Sequence, residues 1–574
     1  MKDATIRLTH EGFSWTRTPE GRENFADAPE IADLFAHEGG AACFQVLLCA
    51  AERFALSTGR KQWYSESGHR DRFRLEVLAE GAQVQTWIEE GVLDDDGSLR
   101  ADALVHREEA EYAAGSAAAV FVQVRAEQTT EVCVRVYHAF GTHPETLFCE
   151  RRLPLHVYPV RLPAPSDYAF YLDLWQHPSN LARKHETPLW SDAHFAVIER
   201  YARTMAELGQ KSITVLAGDV PWRGQGCMDN ERFPTNLFEY AMVRSVRHAD
   251  GSVETDFSVM DRYIEVFERC GVRGDIEILG LCNIWKKDSF DDHPLVPGDP
   301  EPYISLPCLD ERTGTLQYLD KPAEVDALIA ALERHLDETG RLSRARLSAD
   351  EPADIPAYRR SVERIRRVAP RMRLKTAINH AEFIPAFSDV IDDFTPSLAS
   401  TCAQFDELQR IRRELSGKRF LWYVCCGPDH PNTFLHSNLC ETRLIGALTR
   451  HMGFDGFLRW AYTCWPEDPR RDARYGAFPA GDMHFVYPSA DGTPLPSLRY
   501  MALRRAAEDF ELLHLLEERG LGEKADALAA SVLREPDVRR WFQGEEPIPL
   551  EQICATDYSA YEALRREALE LLSD

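Results

Sequence analysis

Leu347-Ser348-Ala349-Asp350-Glu351-Pro352 is a short strand-like run that leads directly into two adjacent carboxylic acids. Apolar and polar residues alternate before the acids, as in a β-strand, and the following proline favours extended backbone geometry at Glu351. Such a run predicts a strand of a βα-repeat barrel, in which chemistry lies at the carboxyl ends of the strands. The same dipeptide also occurs at Asp310-Glu311, Asp337-Glu338 and Asp406-Glu407. The last two lie in helix-like patterns and are most simply solvated faces.

The region from about residue 166 to 500 alternates apolar runs with amphipathic helices. Its candidate strands are Phe170–Leu174, Ile213–Ala217, Ile276–Leu281, Arg346–Ala349, Leu374–Ile378, Asp393–Leu398, Phe420–Val424 and Gly456–Ala461. Eight strands with intervening helices predict a (β/α)8 TIM-like barrel. The helix predicted over Phe257–Cys270 illustrates the connections, because Asp256 is a good N-cap and Gly271 can end the helix.

The regions on either side of the barrel have different textures. Residues 1–160 carry short β-rich segments separated by turns, which predict an antiparallel β-sandwich, and a proline-punctuated linker follows. The last region, residues 501–574, is predicted to be helical, with apolar residues at helical spacing over Leu498–Glu517 and Tyr558–Leu572. The sequence therefore predicts a multidomain α/β protein with its catalytic barrel at 166–500.

Composition excludes several classes of function. A formal net charge of −27 disfavours a nucleic-acid partner, which clustered Lys and Arg would bind. No segment approaches the roughly 18 uncharged apolar residues of a membrane span, and the N-terminal sequence has no apolar leader, so we expect a cytoplasmic protein. The 14 cysteines are scattered without a C-x-x-C pair and are expected to be reduced. Cys425-Cys426 is the only tight pair.

The residues that follow the predicted strands form one candidate site, since the carboxyl ends of barrel strands meet at one rim. In chain order they are Trp175, His177, Asp219, Trp222, Trp285, Asp350, Glu351, Asn379, His380, Trp422, Trp460, Tyr462 and Trp465. A pocket for sugars combines indole walls with a few fixed polar groups, which fits this set. Any single tryptophan could instead pack the barrel, the histidines could be ordinary loop residues, and Asp219 could cap the following turn. No ligand cluster predicts a metal or another cofactor.

Six segments together resemble glycoside hydrolase family 123, also known as the DUF4091 domain. They are Phe170–Pro178, Ala349–Pro352, Trp460–Pro466, Gly481–Pro488 and Ser497–Tyr500 with Glu508–Leu513. The resemblance covers roughly residues 166 to 515. It implies an exo-acting β-N-acetylgalactosaminidase that acts on an oligosaccharide or glycoconjugate by substrate assistance. On the family's Asp-Glu motif, Glu351 would be general acid and then base, and Asp350 would hold the acetamido N–H.

The residue types agree with those roles. An acetamido oxygen that attacks the anomeric carbon replaces the enzyme nucleophile, so two widely separated carboxylates are not required. An ionised Asp350 would stabilise positive charge on the oxazolinium ring. Its charge would also raise the pKa of Glu351 toward the value that a general acid needs. Asp482, His484 and Asp219 are the candidates for contact with O4 of the sugar, although Gly481-Asp482 could be an ordinary turn.

Other functions remain compatible with these residues. One is a glycosidase for β-N-acetylglucosaminides or for a modified, for instance sulfated, amino sugar. Another is a catalytically silent carbohydrate-binding protein that keeps the barrel and its indole walls. A metal-dependent hydrolase is the least favoured class, because the strand ends lack a cluster of metal ligands.

Overall fold

The computed structural model describes residues 4–59, 71–141, 143–222, 238–284, 295–475 and 478–574. Strands β1 to β12 form two six-stranded sheets, in the orders β1-β4-β10-β7-β8-β2 and β3-β12-β11-β6-β5-β9. They are β1 (Ala4–His10), β2 (Thr16–Arg17), β3 (Leu34–His37), β4 (Ala41–Ala50), β5 (Phe54–Ser57), β6 (Asp71–Ala79), β7 (Ala82–Leu93), β8 (Leu99–Val105), β9 (Glu109–Tyr112), β10 (Ala117–Ala126), β11 (Thr130–Phe140) and β12 (Thr146–Tyr158).

The two sheets pack face to face around one apolar core. Alternate residues of β10, Val120 and Val122 among them, meet Phe73 and Leu75 of β6 in that core. Most strand pairs are antiparallel, as predicted for this sandwich, but β3 pairs with β12 and β5 pairs with β6 in parallel. Apolar alternation marks which face of a strand is buried and is the same for either direction of pairing.

The strands from residue 171 onward are mostly short and parallel. They are β13 (Tyr171–Leu174), β14 (Ser212–Leu216), β15 (Val220–Pro221), β16 (Phe238–Glu239), β17 (Arg244–Arg247), β18 (Val253–Asp256), β19 (Asp275–Leu279), β20 (Pro307–Asp310), β21 (Thr315–Tyr318), β22 (Ala345–Asp350), β23 (Arg373–Ile378), β24 (Asp393–Pro396), β25 (Arg419–Tyr423), β26 (Gly456–Arg459), β27 (Val486–Tyr487), β28 (Leu495–Pro496), β29 (Phe542–Gln543) and β30 (Glu546–Pro547). One eight-stranded sheet has the order β13-β26-β25-β24-β23-β22-β19-β14. Each of its strands coincides with one of the predicted barrel strands.

This parallel sheet is nearly closed, and the predicted barrel is thus only partly realised. Its end strands β13 and β14 lack a regular ladder and are joined by one parallel bridge between Leu172 and Gln210. The Lys211 N–H donates to the Leu172 carbonyl over 2.9 Å. Side-chain amides supply further links, because Gln210 Oε1 accepts from the Leu174 N–H at 2.9 Å and Gln176 Oε1 from the Thr214 N–H at 2.6 Å.

The helices cover the parallel sheet and form the C-terminal region. They are α1 (Pro178–Lys184), α2 (Asp192–Glu207), α3 (Ser258–Cys270), α4 (Pro322–Glu338), α5 (Ile355–Val368), α6 (Phe383–Ala386), α7 (Leu398–Ala403), α8 (Phe405–Glu414), α9 (Leu439–His451), α10 (Leu498–Glu518), α11 (Gly522–Ser531), α12 (Leu550–Ile553) and α13 (Tyr558–Ser573), with short 3-10 turns at Phe25–Asp27, Pro165–Asp167, Leu342–Arg344 and Val538–Arg540. Each helix within the described ranges is too short or too polar to cross a bilayer.

Two of these helices show how local sequence sets helix ends. Helix α3 begins one residue later than predicted, and the Asp256 carboxylate accepts the Ser258 N–H at 2.8 Å instead of serving as the N-cap. Gly271 ends the helix with a φ of 104°, in the left-handed region that glycine adopts without strain. Helices α10 and α13 match the two segments predicted in the C-terminal region.

Candidate active site

The two acids lie at the carboxyl end of β22. Asp350 is the last residue of the strand and pairs with Ala377 of β23, and the Glu351 N–H donates to the Ala377 carbonyl at 3.0 Å. Glu351 has a φ of 45°, so the extended geometry predicted for it is wrong. A left-handed backbone at a glutamate costs about 1–3 kcal/mol, persists only where surrounding contacts offset that cost, and occurs most often at functional sites. The ladder bond to β23 holds Glu351 where the chain turns away from the sheet.

Asp350 is held through both its side chain and its backbone. The Trp222 indole N–H donates to Asp350 Oδ2 over 3.2 Å, and the Asn283 side-chain amide donates to the Asp350 carbonyl. Asn283 itself has a φ of 53°, and its N–H donates to Glu301 Oε1 at 2.6 Å. The turn after β19 is thereby fixed against the turn after β22.

Glu351 has a different environment. The Tyr423 hydroxyl, at the end of β25, donates to the Glu351 carboxylate. Burial raises the pKa of Glu351, and the hydrogen bond from Tyr423 opposes that rise. The direction agrees with the prediction, but the main cause is desolvation and not the charge of Asp350.

Aromatic rings form a wall beside Asp350. The Trp222 ring lies 6.3 Å from the Trp175 ring and 4.7 Å from the His177 ring, measured between centroids. Burial lowers the pKa of His177 to about 4, so the imidazole is neutral near pH 7 and donates from Nε2 to the Trp460 carbonyl at 2.8 Å. The Trp460 indole in turn donates to Asp482 Oδ2 at 3.0 Å. These five residues are therefore linked to one another beside the acids.

The model of the glycoside hydrolase 123 catalytic domain matches residues 175–516, more than half of the chain. The chain belongs to glycoside hydrolase family 123. It is similar to a family 123 glycoside hydrolase from Clostridium perfringens, described for glycolipid glycan hydrolysis, with a TM-score of 0.72 and 14% identity over 100% of this chain and 97% of the other. That likeness is one of fold. No curated protein matches the chain.

Two further solved structures share much less of the fold of this family 123 hydrolase. A β-D-glucuronidase from Dictyoglomus thermophilum has a TM-score of 0.29 and 10% identity, covering 83% of this chain and 69% of the other. The catalytic domain of a chitinase from Pyrococcus furiosus has a TM-score of 0.29 and 9% identity, covering 61% and 97%.

Three predicted aromatic contacts point away from the acids in this family 123 hydrolase. The Trp422 indole donates to Thr449 Oγ1 of α9 at 2.8 Å, and the Tyr462 hydroxyl lies 2.8 Å from Thr204 Oγ1 of α2. The Trp465 indole donates to the Val486 carbonyl at 2.8 Å. These rings pack between the sheet and its outer layer. Successive side chains of a strand point to opposite faces, so Trp422 faces outward and its neighbour Tyr423 faces inward. The prediction grouped residues by their position after a strand and did not use this alternation.

The candidates for contact with O4 are already engaged or enclosed. Asp219 Oδ1 accepts the Ala241 N–H at 2.7 Å and Oδ2 accepts the Tyr318 hydroxyl at 2.9 Å, and burial raises its pKa to about 6. It still lines a small cavity with Trp222 and Asp350. Asp482 is buried and lies 2.6 Å from Arg459, so it positions the Trp460 indole. His484 is also buried, and among the described residues neither ring nitrogen has a hydrogen-bond partner.

The remaining predicted site residues are Asn379, His380 and Trp285. Asn379 and His380 are exposed after β23, and the Asn379 carbonyl accepts the Ser400 hydroxyl at 2.8 Å. Trp285 lies outside the described residues. Tyr423 and Asn283 lie at the ends of predicted strands, but the sequence interpretation assigned neither of them a contact with the acids. The side-chain phase of β25 was the available signal for Tyr423, whereas no local signal marked the contact of Asn283.

A charged layer inside the parallel sheet supports the aromatic wall. Glu277 Oε1 accepts the Trp175 indole at 3.1 Å and the Ser348 hydroxyl at 2.6 Å. Its Oε2 accepts Lys375 Nζ at 2.9 Å, and the same ammonium donates to Asp173. All of these groups are buried.

Candidate metal ligands lie at another place. Within the described ranges, one group of three, Asp94, Asp95 and His436, has ligand atoms within 4.8 Å of one another. Asp94 is already bonded to Arg100 and Asp95 to the Ala480 N–H. The group joins a turn of the sandwich to the loop before α9, and the acids of β22 are not part of it.

Proposed function

We propose that this glycoside hydrolase releases terminal β-linked N-acetylgalactosamine from an oligosaccharide or glycoconjugate, with retention of configuration. The supporting observation is the pair Asp350 and Glu351 at the sheet's carboxyl rim, with each carboxylate held by its own donor, Trp222 or Tyr423. Adjacent acids with separate donors suit two different roles in one reaction. We propose further that residues 166–500 form the catalytic unit, with 1–160 and 501–574 as supporting units.

Glu351 is assigned as the general acid and base. Burial raises its pKa, which keeps the carboxyl protonated closer to neutral pH. It gives that proton to the glycosidic oxygen as the bond to the anomeric carbon breaks. The resulting carboxylate then takes a proton from the water that opens the intermediate.

Asp350 is assigned to the substrate's acetamido group. The acetamido oxygen attacks the anomeric carbon and forms a cyclic oxazolinium ion, so the protein supplies no nucleophile. Asp350 accepts the N–H of that group and stabilises the positive charge that develops on nitrogen. The indole of Trp222 fixes the orientation of the carboxylate, and the partly exposed ring of Trp460 offers an apolar face to the sugar.

Hydrolysis of paired 4-nitrophenyl β-N-acetylgalactosaminide and β-N-acetylglucosaminide tests the proposal. We expect turnover of the galacto substrate with the β-anomer released first, as observed by proton NMR. A general acid contributes roughly 10²–10⁴-fold, so Glu351→Gln should lose about that factor on natural sugars. Asp350→Asn should strongly reduce any turnover of either substrate, because both depend on the acetamido group.

Asp406→Asn is the matched control, because it changes the same Asp-Glu dipeptide on helix α8, where the aspartate side chain is 79% exposed. It should keep full turnover. Wild-type kcat in Glu351→Gln on a natural β-linked sugar would contradict the assignment. Faster hydrolysis of the gluco epimer would indicate a β-N-acetylglucosaminidase and not a β-N-acetylgalactosaminidase. Calorimetric binding of N-acetylhexosamine without turnover would indicate a carbohydrate-binding protein.

A further inference from the structure

Two adjacent thiols follow the strand that carries Tyr423. Cys425 is partly buried and Cys426 is exposed, and their sulfur atoms lie 3.8 Å apart. The catalytic scheme uses neither of them. Tyr423, whose hydroxyl bonds the Glu351 carboxylate, lies two residues before Cys425, and both thiols interact electrostatically with Glu351.

The separation of the sulfurs matches a chelating geometry. In tetrahedral zinc–thiolate sites the metal–sulfur distance is about 2.3 Å, which places two sulfur ligands about 3.8 Å apart. Both thiols therefore already stand at the spacing that a single thiophilic cation requires. No rearrangement of the backbone is needed to bring them together.

The backbone around the pair is anchored. The Cys425 carbonyl accepts the Asn432 side-chain amide at 3.0 Å and the Arg459 guanidinium at 3.3 Å, and the Cys425 N–H donates to the Gly427 carbonyl at 3.2 Å. The Cys426 sulfur is exposed, and the Cys425 sulfur lies directly behind it. An exposed thiolate beside a second thiol is accessible to a metal ion from solution.

We infer that Cys425 and Cys426 form a binding site for a thiophilic divalent cation such as Zn²⁺ or Cd²⁺, and that its occupancy inhibits hydrolysis. The two thiols release two protons, the cation binds both sulfurs, and water completes its coordination. The bound charge beside Glu351 stabilises the ionised carboxylate, which removes the proton that the leaving oxygen needs. The inhibitory part rests on the proposed function of Glu351.

Cadmium titration in a thiol-free buffer tests the site. Wild-type protein should develop cadmium–thiolate charge-transfer absorption in the ultraviolet and release about two protons per ion. Cys425→Ser and Cys426→Ser should each lose most of this absorption. Cys49→Ser, a partly exposed thiol on β4, is the control and should retain it. Unchanged absorption in Cys426→Ser, or none in the wild type, would overturn the site.

Turnover measured in the same titration tests inhibition. Saturating Cd²⁺ should reduce turnover at least tenfold in the wild type and in Cys49→Ser, and a chelator should restore it. Full turnover with the cation bound would overturn the inhibitory effect. If neither N-acetylhexosaminide is hydrolysed, the proposed function fails while the absorption still reports the metal site. The mass of the wild-type protein should equal that of the reduced chain. A mass lower by two hydrogens would indicate a disulfide and would also refute a metal site.

Discussion

Asp350 and Glu351 are separated by one peptide bond, yet their side chains meet different groups. The Trp222 indole holds Asp350, whereas the Tyr423 hydroxyl holds Glu351, which is also desolvated. A backbone with φ of 45° at Glu351 lets adjacent residues diverge in this way. The division of labour between the acids therefore arises from single contacts to residues far away in the sequence.

Tyr423→Phe should move the basic limb of the pH profile of kcat/KM to higher pH. The tyrosine hydroxyl stabilises the ionised form of Glu351 and so lowers its pKa; without it, the pKa rises further. Activity that requires protonated Glu351 is lost as the pH rises through that pKa. In Tyr423→Phe this loss should therefore occur at a higher pH than in the wild type. The profile should be measured with both enzymes at one ionic strength. A limb that stays in place or moves to lower pH would exclude this role.

Trp222→Phe should lower kcat about tenfold or more on acetamido sugars. It keeps an aromatic wall but removes the N–H that orients Asp350, and a hydrogen bond to a charged group contributes about 1.5–3 kcal/mol. Steady-state kinetics provide the measurement. Trp422→Phe is a matched control, since its indole bonds Thr449 outside the site. Equal losses in the two variants would show a general packing effect.

At the scale of elements, the parallel sheet encloses charges as well as apolar side chains. Lys375 of β23 reaches both Asp173 of β13 and Glu277 of β19. The layer links three strands across the interior and supports Trp175, which packs against Trp222. Buried ions of this kind remain only when they are paired, so each member depends on the others.

Lys375→Met should destabilise the protein by about 3–5 kcal/mol, because it leaves two buried carboxylates without their shared partner. Guanidinium unfolding followed by tryptophan fluorescence provides the measurement. Arg203→Met removes an exposed partner of Glu199 and should leave the unfolding midpoint almost unchanged. Similar unfolding midpoints for the two variants would show that the buried charges do not stabilise the sheet.

At the scale of the whole molecule, arginines of α10 connect the sandwich to the parallel sheet. Arg505 Nε donates to Glu11 at 2.6 Å and its Nη2 to the Ala41 carbonyl at 2.6 Å. Arg499 donates to Asp102 of β8 at 2.9 Å and to the Gly481 carbonyl at 2.6 Å. These buried, multiply bonded side chains make the sandwich part of one packed structure with the helix.

Asp102→Asn should lower the thermal midpoint of unfolding and cost about 3–5 kcal/mol, because Arg499 then carries an uncompensated buried charge. Asp96→Asn is the control; its 53% exposed carboxylate meets Arg100 and should contribute about 0–1 kcal/mol. Differential scanning calorimetry compares them. A midpoint for Asp102→Asn equal to that of Asp96→Asn would contradict a structural role for the Arg499 contact.

The sequence predicted the elements better than their relations. Apolar runs located the eight strands of the large parallel sheet, and helical spacing located α10 and α13, because these signals are local. The same signals could not show that β5 and β6 pair in parallel or that the end strands of the sheet meet through a single bridge. Pairing direction and closure depend on how distant segments pack.

For the site, the amino-acid sequence specifies the chemistry that is available: adjacent acids at the end of a strand, aromatic residues near other strand ends, and motifs resembling family 123. Which side chains reach the acids depends on the folded chain. It brought Tyr423, Trp222 and Asn283 to them and turned Trp422, Tyr462 and Trp465 outward. The physical reason is that residue types and periodicities are encoded locally, whereas the orientation of a side chain toward a particular partner depends on strand phase, on backbone turns such as that at Glu351, and on long-range packing.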